Sequence, residues 1–377
     1  MGTRLQGLAS RIERLVKGKT EDTFCVMPWI FLELFSHGQA KVCCKFRDFA
    51  AQRGSPLSLY RNSLDGVWNS AGIQSVRRAM VRGKSIPGCT DCYREETAGG
   101  TSLRTIRNRD WQQGWLNETR TTMDELKTAA QANGYRLPAT PSFLQLDVGN
   151  LCNLKCRMCQ GHSSSLIDRD PIHRKWNGGA IPDEERLPSS KRLFEDKEFL
   201  AKHLFRSPEQ LRLVQFLGGE PFLIGAIRPI LETLIEAGVA KNIQILVATN
   251  ATTAHSPWLD LTDQFRSLSL NVSVDGFGRY NDYIRYPSRW DLVTRNIEIF
   301  KQRPNTEIMA IATLQMYNAL NIVELFRYLD AIGMDFYAYP VSTPAHLSLA
   351  LLPPHARTTA SGRLRAYAAQ DCRPQNR

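Results

Sequence analysis

Asp147-Val-Gly-Asn-Leu-Cys152-Asn-Leu-Lys-Cys156-Arg-Met-Cys159 sets three thiols at C-x3-C-x2-C spacing, directly after an apolar, strand-like run over 143–148. Three cysteines in eight residues cannot all pair with one another, whereas thiolates readily take up metal. A [4Fe–4S] cube is normally held by four cysteine thiolates. With only three on the loop, one iron would lack a protein ligand. An open metal position is what makes a site catalytic and not merely structural. Zinc at this spacing would need a fourth ligand, for which His162 is the local candidate.

Outward from that loop, β-type runs alternate with helical patterns. The sequence predicts strands over 143–148, 211–217, 243–249, 268–274, 307–315 and 334–340. Helices are expected over 191–204, 225–239, 290–302 and 320–332. Such alternation points to parallel βα units, too few here for a complete eight-stranded barrel. In βα barrels the chemistry sits at the C-terminal ends of strands. The second run ends in Gly218-Gly219-Glu220-Pro221. Glycines let backbone approach a ligand closely, and Glu220 offers a carboxylate to an ammonium. The third ends in Thr249-Asn250-Ala251, where Asn250 is a ligand contact or a turn former. The fourth ends in Ser273-Val274-Asp275-Gly276, followed by Asp282-Tyr-Ile-Arg285. Asp275 is a candidate to face substrate. Arg289 and Arg295 lie near Arg285, and an arginine–carboxylate pair is strong when bidentate. After the fifth, Leu314-Gln315-Met316 is either a ligand edge or core.

The triplet resembles the signature of the radical S-adenosylmethionine (SAM) enzymes, with Met158 where that family often has an aromatic residue. The resemblance implies a partial (β/α)6 TIM-like barrel. It also implies a [4Fe–4S] cluster on Cys152, Cys156 and Cys159, whose open iron chelates SAM and yields a 5′-deoxyadenosyl radical that abstracts a substrate hydrogen. Gly218 to Pro221 match the family's GGEP motif, which binds the SAM amino group. By the same resemblance Asn250 contacts substrate or SAM ribose, Ser273 the SAM carboxylate or ribose, and Arg285 the carboxylate. An electron donor such as flavodoxin or ferredoxin is implied as well.

A second set of thiols lies before residue 93: Cys25, Cys43, Cys44, Cys89 and Cys92. Gly38 sits at a hairpin turn, and 39–43 reads as the returning strand. Adjacent strand residues face opposite ways, so only one of Cys43 and Cys44 should ligate, and the resemblance to the twitch pattern that follows favours Cys43. The order Cys25, Gly38-x4-Cys43, Cys89-x2-Cys92 resembles the twitch half of SPASM/twitch auxiliary-cluster domains, here ahead of the core as in an N-terminal twitch subgroup. Glu95-x3-Gly99-Gly100-x-Ser102-x-Arg104 looks like part of the same subgroup. Four thiolates suit an auxiliary [4Fe–4S] cluster, and suit zinc equally.

The chain of 377 residues divides on this reading into an N-terminal cysteine-rich domain with a helical connector (1–140), a core barrel (141–345) and a C-terminal tail (346–377). Within the connector, 111–133 reads as one helix, and the region 160–190 reads as a lid or a solvated insertion. An amphipathic basic helix is expected over 7–19. Cys372 is a remote candidate ligand. Net charge is +11, and 1–142 carries 21 Lys and Arg against 13 Asp and Glu, so the basic excess is mainly N-terminal. It suits an acidic substrate or partner. Nucleic acid is disfavoured, because aromatic and basic residues do not interleave. No apolar run reaches the ~18 residues of a membrane span. Nine cysteines, odd and clustered, fit a reducing, cytoplasmic compartment. The expectation is a radical SAM oxidoreductase or modifying enzyme acting on a peptide or carbohydrate. The alternative is a non-catalytic, zinc-bearing basic module that binds nucleic acid or protein.

Overall fold

The computed structural model describes residues 23–138, 140–172, 193–341 and 343–370. The basic helix expected over 7–19, Cys372 and much of 160–190 fall outside them. The chain forms two compact units: one takes in Gln39–Ser142 with the chain up to Glu33, the other Leu34–Gly38 and Phe143–Arg377.

The first unit begins with α1 (Met27–Ile30), which runs into β1 (Phe31–Phe35). Short strands follow: β2 (Ala40–Lys41), β3 (Ala51–Gln52) and β4 (Ser55–Pro56). Then come α2 (Leu64–Trp68), α3 (Ala71–Val81), α4 (Thr90–Thr97), α5 (Leu103–Gln112) and α6 (Met123–Ala132). Buried Arg77 of α3 is satisfied by acceptors from distant segments, the carbonyls of Pro28, Trp68 and Tyr135 and the Asn69 side chain. The helix expected over 111–133 is two. Gly114 turns the chain at φ +101°, with the Arg120 guanidinium packed where a Cβ would stand. A capping box between Thr122 and Glu125 then starts α6 afresh. The strand expected over 39–43 is also shorter. Phe46 N donates to Cys43 O, so Cys43 and Cys44 lie in a turn where strand alternation does not separate them.

The second unit is built on β5 (Phe143–Asp147), β6 (Leu213–Leu217), β7 (Gln244–Thr249), β8 (Ser267–Ser273), β9 (Thr306–Leu314) and β10 (Asp335–Pro340). They pair in parallel and in sequential order, β5 to β10. Helices fall between them: α7 (Ser165–Arg169), α8 (Ile227–Glu236), α9 (Arg279–Ile284), α10 (Trp290–Lys301) and α11 (Ile322–Ala331); α12 (Pro354–Gln370) closes the described chain. This α/β arrangement, singly wound and left open, fits a partial βα barrel. Period-two alternation explains the layering. Leu268, Leu270 and Val272 of β8 are fully or almost fully buried, while Ser269, Asn271 and Ser273 on the other face are half-buried. Phe222, Trp258 and Phe300 form one aromatic cluster of the core, and Phe326 of α11 stacks on Phe336 of β10.

Candidate active site

The cysteine loop leaves β5 and is stitched down by its own backbone. Gly219 N donates to Gly149 O (2.8 Å), Glu220 N to Leu151 O (2.7 Å), Lys155 N to Tyr286 O (2.6 Å) and Arg157 N to Ile284 O (2.9 Å). The end of β6 and the segment after α9 therefore hold the loop from two sides. Gly218 and Gly219 are required for that closeness. A Cβ on Gly218, which sits at φ +105°, would stand 2.2 Å from Gly149 O, and one on Gly219 would stand 2.1 Å from Leu151 O. The glycines expected to admit a ligand thus admit the cysteine loop first.

Cys152 and Cys156 are buried, with Cys159 and Met158 packed against them. Burial pushes the Cys152 thiol up to about 11. The Cys156 and Cys159 thiols share a hydrogen bond that raises the former and lowers the latter. The Asn250 amide lies 4.0 Å from Cys152 Sγ and donates to Asn153 Oδ1 at 3.0 Å, and its own Oδ1 accepts from Thr252 N. Asn250 is thus both turn former and thiol neighbour.

The other expected residues gather here in altered relationships. Arg285, the last of the Asp282-to-Arg285 segment, meets Asp275 in an ion pair with Nε to Oδ2 at 2.7 Å. Asp275 is fully buried, and its Oδ1 accepts from Thr313 N at 2.6 Å. It is enclosed by protein, where the sequence suggested a group facing substrate. Burial works against the Arg285 charge. The Asp275 carboxylate, with Cys156 and Cys159, more than reverses that, so the guanidinium stays charged. Arg289 instead pairs with Asp291 at the surface. Glu220 is fully buried and joins two strand ends: Oε1 accepts from Phe222 N (3.1 Å) and Thr249 Oγ1 (2.8 Å), Oε2 from Asn250 N (2.6 Å). Burial raises its carboxyl against the pull of those donors. Pro221 is buried beside it, and Ser273 ends β8 on the half-buried face.

Sequence reasoning passed over Asp147. It ends β5, accepts from Gly149 N at 3.3 Å, and burial raises its carboxyl to about 6. An acidic residue at the C-terminal end of the first barrel strand was the available signal.

In the N-terminal unit, Cys25, Cys43, Cys89 and Cys92 line one cavity together with Lys45 and Arg104. Cys44 is exposed and does not line it. Burial pushes the Cys25 and Cys89 thiols up to about 12, with neighbouring thiols adding to the rise. Four soft sulfur donors at one cavity have the donor chemistry of a thiolate-bound cluster. Among the described residues, no group of three or more His, Cys, Asp or Glu side chains is spaced to hold a single metal ion.

Residues 146–329 match the Radical SAM superfamily model. Over that stretch the core is similar to the radical SAM domain. No curated protein matches the chain. Among solved structures, native anSMEcpe with bound AdoMet is 18% identical, with 61% of each chain covered and a TM-score of 0.44. SuiB of Streptococcus suis bound to its precursor peptide SuiA is 15% identical, over 77% of this chain and 62% of that one, at a TM-score of 0.43. SuiB bound to S-adenosylmethionine is 12% identical, over 91% of this chain and 70% of that one, at 0.44. The chain thus spans about three fifths of the length of anSMEcpe. No helix among the described residues is long and apolar enough to cross a membrane.

Proposed function

We propose that this protein is a radical SAM oxidoreductase that oxidises or otherwise modifies a peptide or carbohydrate, with an auxiliary cluster in its N-terminal unit. The observation that carries this reading is the thiol triplet on the loop after β5, closed in by Glu220, Asn250 and the Arg285–Asp275 pair from later strand ends. Bound there, a [4Fe–4S] cluster supplies the electron that cleaves SAM to a 5′-deoxyadenosyl radical.

The chain's own residues bind and orient. Cys152, Cys156 and Cys159 hold the cluster. Asn250 directs an N–H at Cys152, a contact of the kind that tunes cluster potential. Gly218 to Pro221 form the ridge for the SAM amino group. Three of about four acceptor positions on Glu220 are taken, which leaves one for an ammonium. Arg285, held in its ion pair with Asp275, offers its guanidinium to the SAM carboxylate. Asp275 is then the positioning partner of Arg285, not a group that handles substrate. Ser273 completes the cofactor edge from β8. Cys25, Cys43, Cys89 and Cys92 would hold the auxiliary cluster, which would supply a one-electron acceptor. The basic N-terminal surface suits an acidic donor of the flavodoxin or ferredoxin type, or an acidic substrate. A zinc-bearing binding module leaves the domain at 146–329 without a purpose.

Anaerobic reconstitution tests the proposal. The expected product is a brown protein with about eight irons, two cubes' worth, which dithionite reduces and which then releases 5′-deoxyadenosine from SAM. A colourless zinc protein without SAM cleavage would overturn it.

A further inference from the structure

One half-buried charge network in the N-terminal unit is left over by that reading. Arg104, 11% exposed in its side chain, lines the four-thiol cavity. Its guanidinium forks onto the Glu96 carboxylate, with Nε to Oε1 at 3.0 Å and a second, shorter contact from Nη2 to Oε2. Nη1 donates to Phe24 O at 3.0 Å, the carbonyl just before Cys25. Ser102, fully buried, donates to Glu96 Oε1. Asn108, one turn further along α5, brackets Cys25 by accepting from Val26 N (2.9 Å) and donating to Phe24 O (2.8 Å). Glu95, next to Glu96, pairs instead with Lys45, a more exposed pair whose lysine also lines the cavity.

Anchoring the Cys25 segment would need only neutral hydrogen bonds, which Asn108 already supplies. An ion pair under cover costs desolvation on both partners, so its placement beside four thiols calls for a further role. A cube in its 2+ state with four thiolates carries two net negative charges, and one more when reduced. A fixed cation at the wall favours the reduced form, and a carboxylate clamped to that cation offsets it. Hydrogen bonding and charge around the sulfurs are the protein's means of setting cluster potential.

We infer that the Arg104–Glu96 pair sets the reduction potential of the cluster held by Cys25, Cys43, Cys89 and Cys92. This rests on the auxiliary-cluster reading above. Arg104 and Glu96 are positioning residues, acting through charge on a one-electron couple that dithionite or a flavodoxin-type donor reduces.

The test uses the full chain with Cys152, Cys156 and Cys159 all changed to Ala, so that only the N-terminal cluster is left, and a redox titration followed by electron paramagnetic resonance. In that background Arg104→Gln should make the cluster harder to reduce. Glu96→Gln leaves Arg104 uncompensated and should make it easier. Each shift is expected to change the reduced-to-oxidised ratio at a fixed potential by about tenfold, which is 59 mV for one electron. Opposite shifts of the two variants establish the inference. Unmoved potentials, or shifts of one sign, in protein that still binds about four irons overturn it while sparing the auxiliary cluster. A parent variant that takes up no iron overturns both. Should Arg104→Gln fail to fold, Glu96→Gln alone decides by the direction of its shift.

Discussion

The two thiol sets are built to the same electrostatic plan by opposite routes. Each has a mostly buried arginine locked to a carboxylate beside it: Arg285 with Asp275 in the core, Arg104 with Glu96 in the N-terminal unit. The core set comes from a single loop of eight residues, and its environment comes from distant strand ends. The N-terminal set is the reverse. Its thiols come from three separate segments, while Glu96, Ser102, Arg104 and Asn108 arrive together from α4 and the start of α5. Three thiols leave a cluster one open iron, and four close it. On the proposed function, ligand count, more than local charge, is what would separate a site that binds a cofactor from one that stores an electron.

The largest effects should come from breaking each set in turn. Cys156→Ala removes a ligand that cannot be replaced within its loop. It is expected to abolish 5′-deoxyadenosine formation and to cut reconstituted iron from about eight to about four. Cys89→Ala is expected to lose a similar amount of iron, to keep SAM cleavage, and to lose turnover of substrate. Iron assay and product chromatography on both variants check this. A folded Cys89→Ala protein that cleaves no SAM would contradict the division of labour.

Gly219→Ala sharpens the comparison at the next level, because the core loop is held against backbone at a glycine ridge. A Cβ there meets backbone at 2.1 Å, with no flexible side chain to give way. Overpacking of this kind costs about 1–3 kcal/mol. The variant should melt at lower temperature and lose iron from the core set, with the N-terminal iron retained. Equal loss from both sets would show that the ridge serves the whole fold and not the loop.

How much of this was legible follows from where the information sits in the chain. Strand limits came out within one or two residues, since alternation such as Leu268-x-Leu270-x-Val272 is local. The cysteine loop was equally plain. Misreadings arose where a partner is remote. The Gly218-Gly219 pair reads the same whether backbone or ligand approaches it, and only the position of Leu151 O decides. Arg285, Arg289 and Arg295 are indistinguishable in a line of sequence until Asp275 selects one. The break between α5 and α6 was partly visible, because Thr122-x-x-Glu125 is a capping signature, but the apolar spacing through Trp115 and Met123 masked it. Glu96 was overlooked in favour of its neighbour Glu95, because which of two adjacent glutamates turns toward Arg104 depends on the packing of α4.

The smallest expected effect concerns Asp147, which borders the core loop and has no counterpart in the comparison. Burial raises its carboxyl to about 6 from an ordinary value of 3.8. The folded chain therefore holds this proton more tightly than the unfolded chain does. Between those two values folding is accompanied by proton uptake, so stability falls as pH rises from about 4 through about 6. Above that window the buried charge costs about 1–2 kcal/mol, discounted because the side chain is partly exposed. Asp147→Asn keeps an oxygen for Gly149 N and removes the charge. It should leave stability unchanged near pH 4 and raise it by about that amount at pH 8, read from denaturant midpoints at the two pH values with the cluster-free protein. If the gain is the same at both, the residue is stabilised by shape alone and its carboxyl carries no penalty. If the variant is less stable at pH 8, the charge is matched by a positive partner, and Asp147 belongs with Asp275 and Glu96 as the anchor of a cation beside thiols.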